Sequence, residues 1–403
     1  MIMKKIRTGI IGVGNMGSAH ARMFSDGSCP EIELVAICDT DQRRIDATLA
    51  ALAEIYAKKG EPMPKIDTYK NAEEMLDSGC LEAVTVAVPH YDHPRYVIAA
   101  LERGIHVISE KPAGVYTKQV RAMIEVADAH PETTFAMMFN QRTDHVYRKM
   151  NEIVKSGRLG QMKRVNWIIT NWYRPQCYYD SGNWRATWSG EGGGVLLNQC
   201  PHQLDLLCWI CGLPSVVEAH LHYGKWHDIE VEDDVTAYLE FENGATGVFI
   251  TSTGDAPGTN RFEILFDKGR LICEDGRLIL DENTIAESEF RLATKIPFSA
   301  PEHKATLPET DGRSPQHVGV FNAFTAHILR GEPLIADGRE GINGLTLSNA
   351  MHLSSWTGGP IKIPFDEELF YDELMKRVKT SRRKTATIDP LTADTSGSYG
   401  GAK

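Results

Sequence analysis

Three observations predict an α/β chain of two domains that opens with a doubly wound parallel sheet. Short β-branched runs alternate with helical patterns from the start, a glycine-rich turn follows the first run, and strand-like runs broken by turn signals fill much of the second half. A length of 403 residues suits this division, because single cores stop growing at about 250–300 residues.

The elements follow in order. "IRTGIIGV" reads as the first strand, with a helix from about Asn15; "IELVAICD" comes next, with a helix from about Asp41. "AVTVAVP", the helix after His93, "HVISE", a helix from about Thr117 and "TTFAMMF" complete a domain of six strands alternating with helices, assigned to residues 1–139. A second domain, 140–383, begins with a helix near 142–155 that leads into "QMKRVNWIITNWY". Strand-like runs over 215–281, among them "NGATGVFITS" and "RLICEDGRLIL", are punctuated by Gly, Asn and Asp turn signals, and helical patterns return near 315–330 and 338–355. The small, polar tail at 384–403 is expected to be poorly ordered.

Composition narrows the partners. A net charge of −11 argues against electrostatic binding of nucleic acid. No apolar run reaches the roughly 18–20 residues of a membrane helix, and the start turns glycine-rich too soon for a signal peptide. A small-molecule partner, no membrane and a cytoplasmic location are expected. Eight scattered cysteines suit a reducing compartment better than a disulfide framework. Cys208 and Cys211 have the spacing of a metal or redox pair, yet they lie in an apolar helical run where free cysteines act as small hydrophobes. No metal is expected.

The first turn carries chemistry. Gly12-Val-Gly14-Asn15-Met16-Gly17 follows a strand and opens a helix, and Asp39 stands 22 residues beyond Gly17 at the end of the second strand. Glycines there let the backbone approach a pyrophosphate, the helix start supplies amide donors around Asn15 and Met16, and Asp39 can accept both ribose hydroxyls. The plain alternative is a glycine turn that has lost its cofactor. A carboxylate repels a 2′-phosphate, so NAD is favoured over NADP; Arg43 and Arg44 either pair with such a phosphate or face solvent.

"SEKPAG" ends the fifth strand and sets Glu110 and Lys111 beside the cofactor, at the carboxyl edge where open α/β sheets bind ligands. An ammonium there can stabilise a developing alkoxide, although a strand-end lysine is commonly only solvated. In "GEGGGVLLNQCPHQLDLLCWICG", residues 190–212, three glycines run into a short apolar strand. Pro201 suits the first position of a helix, which puts His202 in the first turn, where the dipole disfavours imidazolium. A neutral histidine can accept a proton; a packed helix-start histidine is the plain alternative. Asp205, one turn on, is a candidate to orient the ring or bind substrate, or simply complements the helix start.

Together, "GVGNMGSAHA", Asp39, "EKP" at 110–112 and "GGGVLLNQCPHQLDLLCWICG" resemble the glucose–fructose oxidoreductase, inositol dehydrogenase and rhizopine-catabolism family, Gfo/Idh/MocA. The resemblance implies an N-terminal Rossmann domain and a C-terminal α/β domain whose large, mostly antiparallel sheet lies beneath the substrate pocket. It implies oxidation or reduction of a sugar or cyclitol carbon with NAD or NADP, and a homo-oligomer, dimer or tetramer. It gives Lys111 and His202 the places of the family's catalytic lysine and histidine. Where members often carry an aspartate four residues before the histidine, this chain has Asn198, which can hydrogen-bond a sugar hydroxyl but cannot take its proton.

Trp172, Tyr173, Tyr178, Tyr179, Trp184 and Trp188 crowd one segment, either as a platform for a sugar ring or as core packing beneath the sheet. Tyr173 and Trp184 are the candidate stacking rings, with Arg174 and Arg185 as hydroxyl donors. The expected function is NAD-dependent oxidation of a secondary hydroxyl of a sugar, glycoside or cyclitol to a ketone. The alternatives are glycoside hydrolysis through oxidation, elimination and re-reduction on a retained NAD, a non-catalytic NAD sensor, and a metal enzyme built on Cys200, His202, Cys208 and Cys211.

Overall fold

A computed structural model of the chain describes residues 4–382, so the 384–403 tail lies outside the described residues. The first domain contains β1 (Ile6–Ile11), β2 (Ile32–Cys38), β3 (Asp67–Tyr69), β4 (Ala83–Val86), β5 (His106–Ser109) and β6 (Phe135–Met137). These form one six-stranded sheet in the order β3-β2-β1-β4-β5-β6, and every pairing is parallel. The order reverses between β1 and β4, and the carboxyl ends of those strands therefore flank a crevice open to a ligand. Five of the strands are apolar runs in the sequence. β3 is not: it is a three-residue edge strand with no fully buried residue, so it needs no apolar run.

The second sheet has nine strands: β7 (Met162–Ile169), β8 (Val216–Tyr223), β9 (Glu232–Glu240), β10 (Thr246–Ser252), β11 (Asn260–Phe266), β12 (Gly269–Glu274), β13 (Arg277–Asn283), β14 (His303–Thr306) and β15 (Ile361–Lys362). Their order is β14-β13-β12-β11-β7-β10-β9-β8-β15, and only the β7–β10 pairing is parallel. Alternation decides the faces: Val235, Ala237 and Leu239 of β9 are buried, whereas Thr236, Tyr238 and Glu240 between them are exposed. The buried face carries Trp167 stacked on Phe262 at 4.0 Å and is covered by helices His145–Lys155, Pro201–Cys211 and Gly341–Thr357. The opposite face is uncovered along β8 and β9, where Glu218, His220, Thr236 and Tyr238 are exposed.

One expected strand is helical. Val195–Gln199 forms a single wide helical turn closed by Cys200 N–H to Val195 O at 2.8 Å, and it runs directly into the helix Pro201–Cys211. The cause is the carboxylate of Glu232, fully buried on β9, which accepts the N–H groups of Gly194 at 2.9 Å and Leu196 at 3.0 Å. Those donors are held as a helix start and cannot join a ladder. Gly194 is required at this contact, because a Cβ there would lie 2.0 Å from Glu232 O.

The chain returns to the first domain late. Phe321, in the helix Gln316–Arg330, packs edge-on against Phe24 at 4.7 Å and His20 at 4.9 Å, and Arg330 pairs with Glu31 at 2.5 Å. We propose 1–139 and 140–383 as a division of the chain path, with this helix bracing the first sheet from the second domain. No helix among the described residues is long and apolar enough to cross a membrane.

Candidate active site

At the crevice, the glycine turn is shaped by close approach. Gly12 has φ 87°, and a Cβ there would meet Ala87 O at 2.5 Å; a Cβ on Gly17 would meet Gly12 O at 1.8 Å. Asn15 and Met16 open the helix Asn15–Asp26, whose N-cap Gly14 brings no side-chain cap, and a helix start of this kind favours an anion. Asp39 is fixed across the turn: Oδ2 accepts Val13 N–H at 3.0 Å and Oδ1 accepts Asp41 N–H at 2.9 Å. Each oxygen keeps a further lone pair for a ribose hydroxyl. The guanidinium of Arg43 pairs with Asp41 at 2.6 Å. Arg44 does not simply face solvent, because its Nη1 lies 2.9 Å from where a Cβ on Gly14 would stand, over the turn itself. A Cβ-free cradle, an uncapped helix start and a carboxylate at the second strand end fit a dinucleotide.

Across the crevice, β5 delivers Lys111 and the wide turn delivers the residues before His202. Lys111 Nζ donates to Asn198 O at 2.9 Å, a bond between residues 87 apart in sequence that joins the two domains. Burial pushes the Lys111 ammonium below its usual 10.5; Glu110 and Glu191 oppose the shift, and Arg185 and Arg174 reinforce it. His202 is buried in the first turn of its helix, edge-on to Phe139 at 6.3 Å, with no partner for Nδ1 among the described residues. Burial, then the nearby Lys111 charge, push its imidazole well below 6.5, so the ring is neutral at neutral pH.

Two assigned roles are corrected. Asp205 meets neither the His202 ring nor the open site: both oxygens are taken by Arg142, at 2.6 and 2.8 Å, and Arg142 also binds Glu340 at 2.8 Å. Nearly the whole helix Pro201–Cys211 is buried, so a carboxylate one turn past His202 points into the core and needs its own cation. Glu110 is likewise engaged inside the protein. Its Oε1 lies 2.6 Å from His20 Nε2 and its Oε2 accepts Lys111 N–H at 3.2 Å, which orients the lysine and leaves the cofactor cradle to the glycine turn. Burial alone would raise the Glu110 carboxyl, but His20, His317 and Lys111 bring it down to about 2.

The aromatic segment divides. Trp172, Tyr179 and Trp188 are buried as packing, and Tyr173 is 48% exposed. Trp184 and Tyr178 stay half-buried beside the arginines: the Arg185 guanidinium lies 4.5 Å from the Trp184 ring and 4.7 Å from that of Tyr178, and Arg174 lies 5.3 Å from Tyr178. Trp184 also packs edge-on against His90 at 5.7 Å.

Sequence reasoning passed over Glu191 and His20. Glu191 is buried beside the site, bonded to Asn198 Nδ2 and to Ala186 N–H; burial raises its carboxyl, while Arg185, Ala186 and Asn198 lower it. It is the one charge in the run Gly190-Glu191-Gly192-Gly193-Gly194, and its place among residues chosen for close backbone contact was the available signal. Cys200, named with His202 as a possible metal ligand, instead lies 3.0 Å from Thr251 Oγ1.

A dinucleotide cradle facing a lysine and a neutral histidine defines a class, the nicotinamide-dependent oxidoreductases. The chain belongs to the Gfo/Idh/MocA family. Residues 6–138 match the oxidoreductase family's NAD-binding Rossmann fold and residues 147–272 match the GFO/IDH/MocA C-terminal domain. The chain is 25% identical to D-glucoside 3-dehydrogenase of Escherichia coli, over 90% of this chain and 99% of that one. It is 25% identical to myo-inositol 2-dehydrogenase of Thermotoga maritima, over 86% and 95%. Among solved structures, the WlbA dehydrogenase of Bordetella pertussis in complex with NADH and UDP-GlcNAcA superposes with a TM-score of 0.73 at 26% identity, covering 90% of this chain and all of that one.

The cradle predicts cofactor preference. NAD should bind more tightly than NADP, and Asp39→Ala should narrow the gap by about tenfold. Titrating both cofactors by fluorescence decides it; comparable wild-type affinities would assign Arg44 to the 2′-phosphate.

Proposed function

We propose that this protein oxidises a secondary hydroxyl of a sugar or glycoside to a ketone with NAD. The observation that carries the reading is the Lys111–Asn198 O bond, which sets a strand-end lysine beside the turn that leads to a neutral histidine. When bound, NAD accepts the carbon-bound hydrogen as hydride. His202 takes the hydroxyl proton, since its ring is neutral at working pH, and Lys111 holds its ammonium toward the oxygen as alkoxide character develops. Asn198 bonds a neighbouring hydroxyl, while Trp184 and Tyr178 offer ring faces and Arg174 and Arg185 offer donors to the rest of the substrate.

Two half-buried rings beside two arginines suit more than a single six-carbon ring. We therefore favour a glucose-like ring carrying an aglycone or second sugar, oxidised at its third carbon, in keeping with the relative named D-glucoside 3-dehydrogenase. A screen of sugars, glycosides and inositols for NADH formation tests this. Glycosides should give the highest kcat/KM; myo-inositol or free glucose outperforming every glycoside would refute the extended site.

Lys111→Ala and His202→Ala should each lower kcat by about 10²–10⁴-fold with NAD affinity retained. The pH dependence of kcat/KM follows from the shifts. His202 must be unprotonated, and its lowered value puts the acid limb below pH 6.5; Lys111 must be protonated, and its lowered value puts the alkaline limb below pH 10.5. An acid limb above 6.5, or near-normal turnover by His202→Ala, would return that histidine to a packing role.

The uncovered face of the second sheet is the proposed contact of a homo-oligomer, dimer or tetramer, because a single copy leaves Tyr238 and its neighbours on β8 and β9 in water. Light scattering should report a multiple of the 44.8 kDa chain; a monomer at working concentration would rule this out.

A further inference from the structure

Asn198 is placed to meet substrate, and an amide side chain is ambiguous: it can turn a carbonyl or an NH₂ toward a ligand. Here the surroundings remove the ambiguity. Glu191, 1% exposed, receives Ala186 N–H on Oε2 at 2.5 Å, has Arg185 Nη1 4.0 Å from Oε1, and faces Asn198 with that same Oε1. Burial raises its carboxyl, while the Arg185 guanidinium and the Ala186 N–H hold it toward the ionised, accepting form. A carboxylate only accepts, so the Asn198 atom that meets it is the nitrogen.

The second amide hydrogen is also engaged. Asn198 Nδ2 lies 3.2 Å from the Tyr178 hydroxyl, which Gln199 Nε2 approaches at 3.3 Å and Arg185 Nη1 at 3.1 Å. Arg185 can only donate to that oxygen, which leaves it a second lone pair for the Asn198 amide. Both hydrogens of the Asn198 amide are therefore held inside the protein. Its Oδ1 has no partner among the described residues and is not among the buried unpartnered atoms, while the Asn198 backbone carbonyl is fixed by Lys111 Nζ.

We propose that Glu191 is a specificity-determining positioning residue: with Tyr178 it captures both amide hydrogens of Asn198, so that Asn198 presents only Oδ1 and recognises a substrate hydroxyl that donates. This rests on the dehydrogenase reading for the identity of the ligand, though not for the amide's orientation. Such a position rejects a substituent that only accepts, such as fluorine or a carbonyl. It resembles a carboxylate in hydrogen bonding but carries no charge beside Lys111.

The test uses the full-length protein in two arms. In the first, selectively ¹⁵N-asparagine-labelled protein gives the Asn198 side-chain amide signal, assigned by its loss in Asn198→Ala. Glu191→Gln should speed exchange of those amide protons with water by about tenfold, and an unchanged rate overturns the capture. In the second, the best substrate of the screen is compared with its monodeoxyfluoro analogues. At one hydroxyl position, wild type should prefer OH over F, and Glu191→Gln should reduce that preference by about tenfold, mostly through KM, because the freed amide can turn its NH₂ to the fluorine. The exchanged pair Glu191→Gln with Asn198→Asp should restore the preference, since the new amide donates to the new carboxylate and again leaves an acceptor. If Glu191 only supported the backbone at Ala186, Glu191→Gln would leave the OH/F ratio unchanged at every position, and the proposal would fall. A wild-type protein inert toward every polyol sinks the dehydrogenase reading, and the exchange arm still decides whether Glu191 holds the amide.

Discussion

The site depends on one cross-domain hydrogen bond, from Lys111 Nζ to the carbonyl of Asn198. The lysine belongs to the NAD-binding domain and the carbonyl to the turn that leads into the helix of His202, so this bond ties the two domains together at the crevice. It works only because both ends are rigid. On one side, Glu110 binds the Lys111 backbone and is itself gripped by His20; on the other, Glu232 pins the amides of Gly194 and Leu196. Two buried carboxylates thus serve as fixed acceptors for backbone groups that regular structure leaves unpaired, each at a place where a ladder bond would have given the wrong direction.

Charge follows the same logic. Burial lowers the Lys111 ammonium below its usual range, and Glu110 and Glu191 are the counter-charges that oppose this. The same ammonium is one of the forces that keep His202 neutral. Burial is the larger force on the imidazole, and the ammonium beside it adds to the same direction. Asp205, despite its position one turn from His202, has no part in this, because Arg142 takes both its oxygens.

What could be read from sequence was local. Gly12, Gly14, Gly17 and Asp39 declare themselves by spacing along one strand–turn–helix unit, and Lys111 and His202 each sit on a short motif at an element end. The alternation along β9 and the apolar runs of the first sheet likewise needed nothing beyond nearest neighbours. What escaped was pairing at a distance. His20 and Glu110 are 90 residues apart and Arg142 and Asp205 are 63 apart, and no periodicity links them. The wide turn at Val195–Gln199 looked like a strand because its apolar residues are continuous, and only the Glu232 carboxylate, supplied from β9, bends it into a helix. All four residues of β14 are exposed and β15 is only two residues long, so neither carries a burial pattern to detect.

The aromatic segment shows why composition alone misassigns function. Six rings crowd residues 172–188, but burial divides them, and those beneath the surface answer to the core whatever the substrate is. A ring becomes a recognition element when one face stays solvent-accessible and a polar group is fixed at its edge. Tyr178 is half-buried beside two guanidinium groups, with its oxygen shared among Asn198, Gln199 and Arg185. Its place in the network ties the orientation of Asn198 to the position of Arg185. Displacing the arginine would therefore loosen the asparagine as well, so this corner acts as a unit rather than as a sum of independent contacts.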